Sequence, residues 1–462
     1  MSETARSYRS LSRWLGGHAL AASLLVFVCA SSVRLFTALR ADTNELLVFY
    51  PDSTTYLIPA ANVIHKGAFL DSAGNPMVNR TPGYPAFLAL LAAFVGEDLH
   101  RMLMLQALLL ALTVPIFYWL ANRVLPPVMA FAAAILAAFS PWGAVLAAIP
   151  LSDGLFLFLL AVALLGIEVT KRARSMSLAL PASMGTGLCV GLNVLVRPLW
   201  PLIIIIPVAL LFLYGLRRKG VWLVTAAALL FAATPVLMWK ERNQTVAHFN
   251  GLTDMTGKTA WRYLAARVKA QVEGEDRYSM SLAAYEDDRN WRMSVQEADD
   301  EHWKRAMSVF VQHPFVTAYS FLRSAAEHAL HPSPDVLVPA RINFSGAFFA
   351  LAFSWGTLLI LAFVGLACTP DPQWDEGEIN KRALVLFLVI TSILTLFSGI
   401  SFAAGSRLRT PLELAIPLLA SVGLVRVVRG CMSVKPIVHP LVPRIHDVRR
   451  SAEVGIATRE HN

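Results

Sequence analysis

Charge is scarce in this chain. Of its 462 residues only 15% are charged, whereas 56% are hydrophobic, and the mean hydropathy of +0.55 is too high for a soluble domain of any class. Lipid must supply much of its solvent. Cysteine is scarce too: Cys29, Cys189 and Cys368 fall in or at the edge of apolar segments and Cys431 in a basic tail, which offers no disulfide or zinc framework. There is no Walker A run, no GxGxxG after a strand and no GxSxG. These absences argue against an ATP-driven pump, a dinucleotide enzyme and an α/β-hydrolase. Solenoid repeats, heptads and low-complexity tracts are also missing. The histidines His248, His302, His313, His328 and His331 show no HExxH or tight metal spacing and read as surface or packing residues.

The chain does have long apolar runs. Counting about 20 mainly apolar residues per crossing, spans are expected near 18–38, 102–122, 128–148, 152–169, 180–196, 199–216, 221–240, 345–368, 383–402 and 411–429. The N-terminus carries Arg6, Arg9 and Arg13 ahead of an apolar run that continues to Leu39 with no convincing cleavage site, so it reads as a retained first span. The net charge of +9 is no nucleic-acid signal, because the basic residues gather in short loops and at the ends, as the positive-inside rule requires. The clusters Lys171-Arg172-Ala173-Arg174 and Arg217-Arg218-Lys219 belong in the cytoplasm with both termini only if the run 83–96 does not cross. That run is about 21 Å long as a helix against a core of about 30 Å. It should be a half-helix.

The expected architecture is an all-α polytopic membrane protein of about ten transmembrane helices. An interfacial first outer loop, 40–101, carries the half-helix within an N-terminal module 1–240. A small, mostly helical periplasmic cap follows at 241–344, then C-terminal spans at 345–429 and a basic cytoplasmic tail at 430–462.

The polar residues fall on the outer face of this arrangement. Asp52 follows the first span and suits a general base, although Asp52-Ser53-Thr54 is also a good helix cap. Arg80 precedes Thr81-Pro82-Gly83-Tyr84-Pro85, a run able to turn the chain sharply while Tyr84 and Arg80 project toward the interface. By default this is a structural turn; a phosphate would make the arginine functional. Asp153 opens a span behind Pro150 and Ser152 and is again either a cap or a second carboxylate of the cavity. Arg197, Arg407 and Arg409 are cations at outer span ends, where the positive-inside rule disfavours them. Each has either an acid partner such as Asp153 or Glu413, or a lipid phosphate, and the three together favour the phosphate. Arg34, late in the first span, is placed to snorkel outward.

The order Asp52-Ser53, Tyr56, Gly67, Arg80-Thr81-Pro82-Gly83-Tyr84-Pro85, then Leu151-Ser152-Asp153-Gly154, Arg197-Pro198 and Arg407-Leu408-Arg409-Thr410-Pro411 resembles the GT-C superfamily of membrane glycosyltransferases. It is most similar to the branch of aminoarabinose, mannosyl and Rgt-type transferases. The resemblance implies a periplasm-facing inner-membrane enzyme that moves one sugar from a polyprenyl-phosphate carrier to a glycan, lipid or protein acceptor, usually with inversion. Asp52 matches the first-loop acid, and Arg407 and Arg409 the late basic motif expected to hold the donor phosphate. Asp153 stands where many members carry a Ser-Glu or Thr-Glu pair. Some relatives bind a divalent metal beside the first-loop acid; no clear ligand pair stands there in this sequence, so the metal is left unassigned. Two other readings compete. A surface-polysaccharide polymerase or ligase would rest on His313 or His331 rather than Asp52. A secondary transporter of an anionic solute would place its charges at the bilayer midplane on repeated halves.

Overall fold

The computed structural model of the chain describes residues 3–49, 51–199, 202–214, 219–289, 291–330, 355–365, 381–398 and 410–433. Among these residues the regular structure is helical, and a single antiparallel bridge joins Leu70 to Pro76. After a short amphipathic α1 (Glu3–Gly17) come α2 (Ala19–Arg40), α3 (Thr43–Phe49), a 3-10 turn (Pro51–Ser53), α4 (Thr54–Lys66) and α5 (Gly83–Val95). The bundle continues with α6 (Leu99–Ala111), α7 (Thr113–Val124), α8 (Pro127–Ala138), α9 (Pro141–Ala148), α10 (Asp153–Arg172), α11 (Met176–Val196), α12 (Leu202–Tyr214) and α13 (Val221–Ala247). The half-helix expected at 83–96 is α5, 13 residues long and closed by Gly96 in a positive-φ conformation.

Among the described residues five helical spans (α2, α6 with α7, α10, α11 and α13) are long and apolar enough to cross a membrane, or six if the bent pair α8 and α9 is one span. That pair corrects the expected straight span 128–148. Pro141 has no N–H to donate, and Ser140 caps α9 through Gly143 N, so the chain bends by 52° at the break. The remaining four of the ten expected spans correspond to α12, α19 (Trp355–Gly365), α20 (Lys381–Ser398) and α21 (Leu412–Ser433), which do not meet that test on the residues described.

Small residues set the helix spacing. A Cβ on Gly187 would lie 2.1 Å from Ala228 O and one on Gly191 2.4 Å from Ala232 O, so α11 and α13 pack backbone to backbone. In lipid, where burial of apolar area gives no preference for helix contact, this close approach is the usual source of association. One large core of Leu, Ala, Val and Phe side chains links α2 through α13 with α20 and α21.

The segment expected as a cap folds as α14 (Met255–Thr259), a π-helical turn (Ala260–Ala265), α15 (Ala266–Glu273), α16 (Arg277–Arg289), α17 (Val295–Gln312) and α18 (Pro314–Leu330). Ser294 and Glu297 form a full capping box on α17. The expected amphipathic stretch from Trp303 to Leu330 is divided at His313 by Pro314. A small core of Ala260, Ala265, Val268, Ala306 and Val309 holds the segment together. Its polar centre is Asp288, which accepts two bonds from Arg262 (2.6 and 2.7 Å) and stands 2.7 Å from His302 Nε2.

Candidate active site

Three stretches distant in sequence meet at one end of the bundle: the 3-10 turn and α4, the loop 67–82, and the junctions that open α10 and close α11. The loop owes its shape to local chemistry. Gly67 ends α4 in the left-handed region, Asp71 Oδ1 accepts from Ala73 N and Asn75 N, and Asn62 Nδ2 ties the turn back to α4 through Leu70 O and Asp71 O. The cap side then fastens it. Arg242, lying on the Trp239 ring at 4.9 Å, donates to Met77 O and Phe69 O. Thr253 Oγ1 donates to Asn79 O, and Asp254 N to Val78 O. Arg80 is the next residue, so its position is inherited from four anchoring bonds.

Arg80 does not project freely toward the interface. Its Nη2 donates to Asp52 Oδ1 at 2.7 Å, its Nε to Thr55 Oγ1 at 2.8 Å, and its guanidinium lies 4.8 Å from the centre of the Tyr56 ring. The Asp52 side chain stays 41% exposed while Arg80 is 15% exposed, which leaves an anchored carboxylate open to an incoming group. The cap of α4 is Ser53, whose side chain makes no capping bond. Its buried Oγ, and Asn79 Oδ1 next to Arg80 in the chain, have no hydrogen-bond partner among the described residues.

Tyr56 connects this pair to a second one. Its hydroxyl is 3.3 Å from Ser152 Oγ, and the next residue, Asp153, accepts from Arg197 Nη1 at 2.5 Å. Of the alternatives for Arg197, an acid partner or a lipid phosphate, the structure contains the first. Asp153 is 3% exposed and Arg197 13%, with the guanidinium also over Phe156. The pair therefore joins the start of α10 to the end of α11. Gly83 brings the loop against it: a Cβ there would stand 2.6 Å from the backbone of Leu195 and Val196, so no larger residue fits.

Tyr84, expected at the interface, is instead fully buried. It meets Tyr56 edge-on at 5.1 Å and donates to Gln106 Oε1 at 2.8 Å, while Gln106 Nε2 donates to Ala147 O and Ile149 O. Its place is behind the site, where it steadies Tyr56. Arg34 is likewise corrected: only 4% exposed, it faces Gly143 and lies within electrostatic reach of Glu413, which accepts from Ser140. Arg407 and Arg409 lie outside the described residues, as does His331; His313 ends α17.

Four contributors escaped the sequence reading. Gln106 carried a signal, as the lone amide in an apolar run. Arg242 carried a weaker one, three residues after Trp239 on a helix. Ser140 carried only its place before a proline. Tyr263, in the π-helical turn of the cap, carried none. Burial pushes its phenol up and Arg262 opposes, with Asp52 and Arg80 acting on it in opposite directions, which puts it within electrostatic range of that pair. Single π turns inside helices recur at functional sites.

Among the described residues no group of three His, Cys, Asp or Glu could hold a metal ion. Asp52 offers one carboxylate already bound to a guanidinium, a donor set that does not fit a divalent cation.

No family model matches the chain, and no curated protein matches it in sequence. Among solved structures it is similar to the oligosaccharyltransferase of Archaeoglobus fulgidus in the apo form, with 12% identity and a TM-score of 0.51 over 95% of this chain and 52% of that one. The archaeal oligosaccharyltransferase AglB of the same organism, in complex with an inhibitory peptide and a dolichol-phosphate, matches with 12% identity and a TM-score of 0.49 over 97% and 53%. ArnT from Cupriavidus metallidurans bound to undecaprenyl phosphate matches with 14% identity and a TM-score of 0.39 over 88% and 79%. The chain spans about half the length of the oligosaccharyltransferases it matches. The first of these likenesses shows that the chain shares the fold of that oligosaccharyltransferase.

Proposed function

We propose that the chain is an integral-membrane glycosyltransferase. It passes a single sugar from a polyprenyl-phosphate carrier to a glycan, lipid or protein acceptor on the periplasmic side of a bacterial inner membrane, with inversion at the anomeric carbon. The observation that carries this reading is the Asp52–Arg80 pair, a half-exposed carboxylate fixed by a mostly buried guanidinium at one end of an apolar bundle. The fold shared with the oligosaccharyltransferase supports it, as does the order of motifs. The carrier's apolar chain belongs among the spans and its phosphate among the arginines.

In this mechanism the acceptor oxygen bonds to the anomeric carbon as its proton passes to Asp52. The bond from that carbon to the phosphate oxygen breaks, and its electron pair leaves with the polyprenyl phosphate. Negative charge grows on the leaving phosphate, where cations lower the barrier. Arg80 is placed to exchange Asp52 for that phosphate, which frees the carboxylate as donor binds; Arg407 and Arg409 are assigned to the same phosphate by their motif. Asp153 and Arg197 hold the shape of the acceptor side, and Tyr84 acts through Tyr56. No step passes through a metal.

Lipid mass spectrometry of cells with and without the chain tests the reading. Loss of the chain should raise one polyprenyl-phosphate sugar and remove one envelope modification; an unchanged lipid-linked sugar pool would contradict it.

A further inference from the structure

A second feature lies far from Asp52. Between α7, α10, α12, α20 and α21 an open groove is lined by apolar side chains such as Phe117, Leu164, Leu213 and Ile390, with Arg123 and Glu168 as its charged members. Glu168 follows Asp153 along α10 by about 22 Å of helix rise, so the groove sits toward the opposite end of the bundle.

Among the described residues the cations there outnumber the acids. Glu168 accepts from Lys171 Nζ at 3.0 Å and from Arg172 Nε at 3.4 Å, so two cations already share one carboxylate. Arg123 is a third cation, near enough to feel both Arg172 and Glu168. Its guanidinium lies over the Trp119 ring at 5.7 Å and has no hydrogen-bond acceptor among the described residues. An arginine facing an apolar groove in a membrane protein with its donors unused is costly, and the planar fork suits a phosphate. An amphiphile with an anionic phosphate and an acyl chain satisfies both halves of the site. The surrounding bilayer supplies that molecule.

We infer that this groove holds an anionic phospholipid, its headgroup phosphate on Arg123 beside Arg172 and one acyl chain between α7, α10 and α20. The lipid would join α20 and α21 to the rest of the bundle. This site is independent of sugar transfer and of the proposed function.

The test uses the full chain purified in detergent and stripped of lipid, then offered phosphatidylglycerol, phosphatidylcholine or a polyprenyl phosphate, with bound lipid read by native mass spectrometry. Wild type should retain phosphatidylglycerol in preference to the other two. Arg123→Gln should reduce that retention by about tenfold or more, the loss expected for a charge-assisted bond. Leu164→Trp, which fills the groove and leaves the arginine, should also lose it. Equal retention of phosphatidylcholine, preference for the polyprenyl phosphate, or undiminished phosphatidylglycerol in the arginine variant would each overturn the inference.

Discussion

Arg80 holds Asp52 and Thr55 with two different nitrogens, Nη2 on the carboxylate and Nε on the hydroxyl, so a single guanidinium fixes both the acid and the first turn of the helix behind it. A lysine can replace the charge but not the fork. Arg80→Lys should therefore lower kcat by about tenfold or more through loss of one aligned charge-assisted bond, with Arg80→Ala lower still. Steady-state kinetics of the purified variants check this; a lysine variant as fast as wild type would show that only charge is needed.

Tyr263 lies within electrostatic range of Asp52 and Arg80. Tyr263→Phe keeps the ring and its packing and removes only the hydroxyl, so thermal stability should change little while kcat falls by about tenfold, the worth of one good hydrogen bond in the transition state. A fall in stability with unchanged kcat would make the residue a packing group.

Glu413 and Arg34 are each 4% exposed, and Ser140 Oγ donates to the carboxylate at 2.8 Å. Glu413 lies within electrostatic reach of Arg34, so removing its charge takes away part of what offsets the burial of that guanidinium. Glu413→Ala should show this as a clear drop in midpoint in thermal unfolding of the detergent-solubilised chain. Restoring a neutral interior by changing Arg34→Leu in the same molecule should recover part of the loss. No recovery in the double variant would mean that the two charges act separately.

Asp299 of the cap is pushed up to about 6, first by burial and then by the neighbouring Asp254 and Asp300. The folded chain thus holds this proton more tightly than the unfolded chain, whose carboxyl titrates near 3.8. Its contribution to stability is present at low pH, declines as pH rises from about 4 to 6, and stays lost above that. Asp299→Asn should accordingly stabilise the protein more at pH 7.5 than at pH 4.5 when melting points are compared with wild type. Equal gains at the two pH values would exclude this proton linkage.

Much of the fold could be read from the chain because hydropathy is a local signal. The half-helix α5 follows from a run too short to cross and from basic clusters that need one side. The bend between α8 and α9 was written in Ser140-Pro141, but apolar content on both sides hid it. The site was legible in residue type and less so in partnership. Asp52, Arg80, Asp153 and Arg197 do gather, yet as two acid–arginine pairs, because whether an arginine meets an acid or a ligand depends on distances that sequence spacing does not contain. Tyr84 turned inward for a related reason: Gln106, 22 residues later, offers its hydroxyl a buried acceptor. The approach of Tyr263 depends on how the cap docks on loop 67–82, which is a tertiary event with no local signature.

The central claim is that the Asp52 carboxylate takes the acceptor proton. Asp52→Asn keeps the size and most of the hydrogen bonding of the side chain and removes its basicity. Turnover of a polyprenyl-phosphate sugar by this variant should fall by about 10²–10⁴-fold, the usual worth of a general base, while binding of the polyprenyl-phosphate donor, measured separately, is retained. Wild-type turnover in Asp52→Asn would contradict the account.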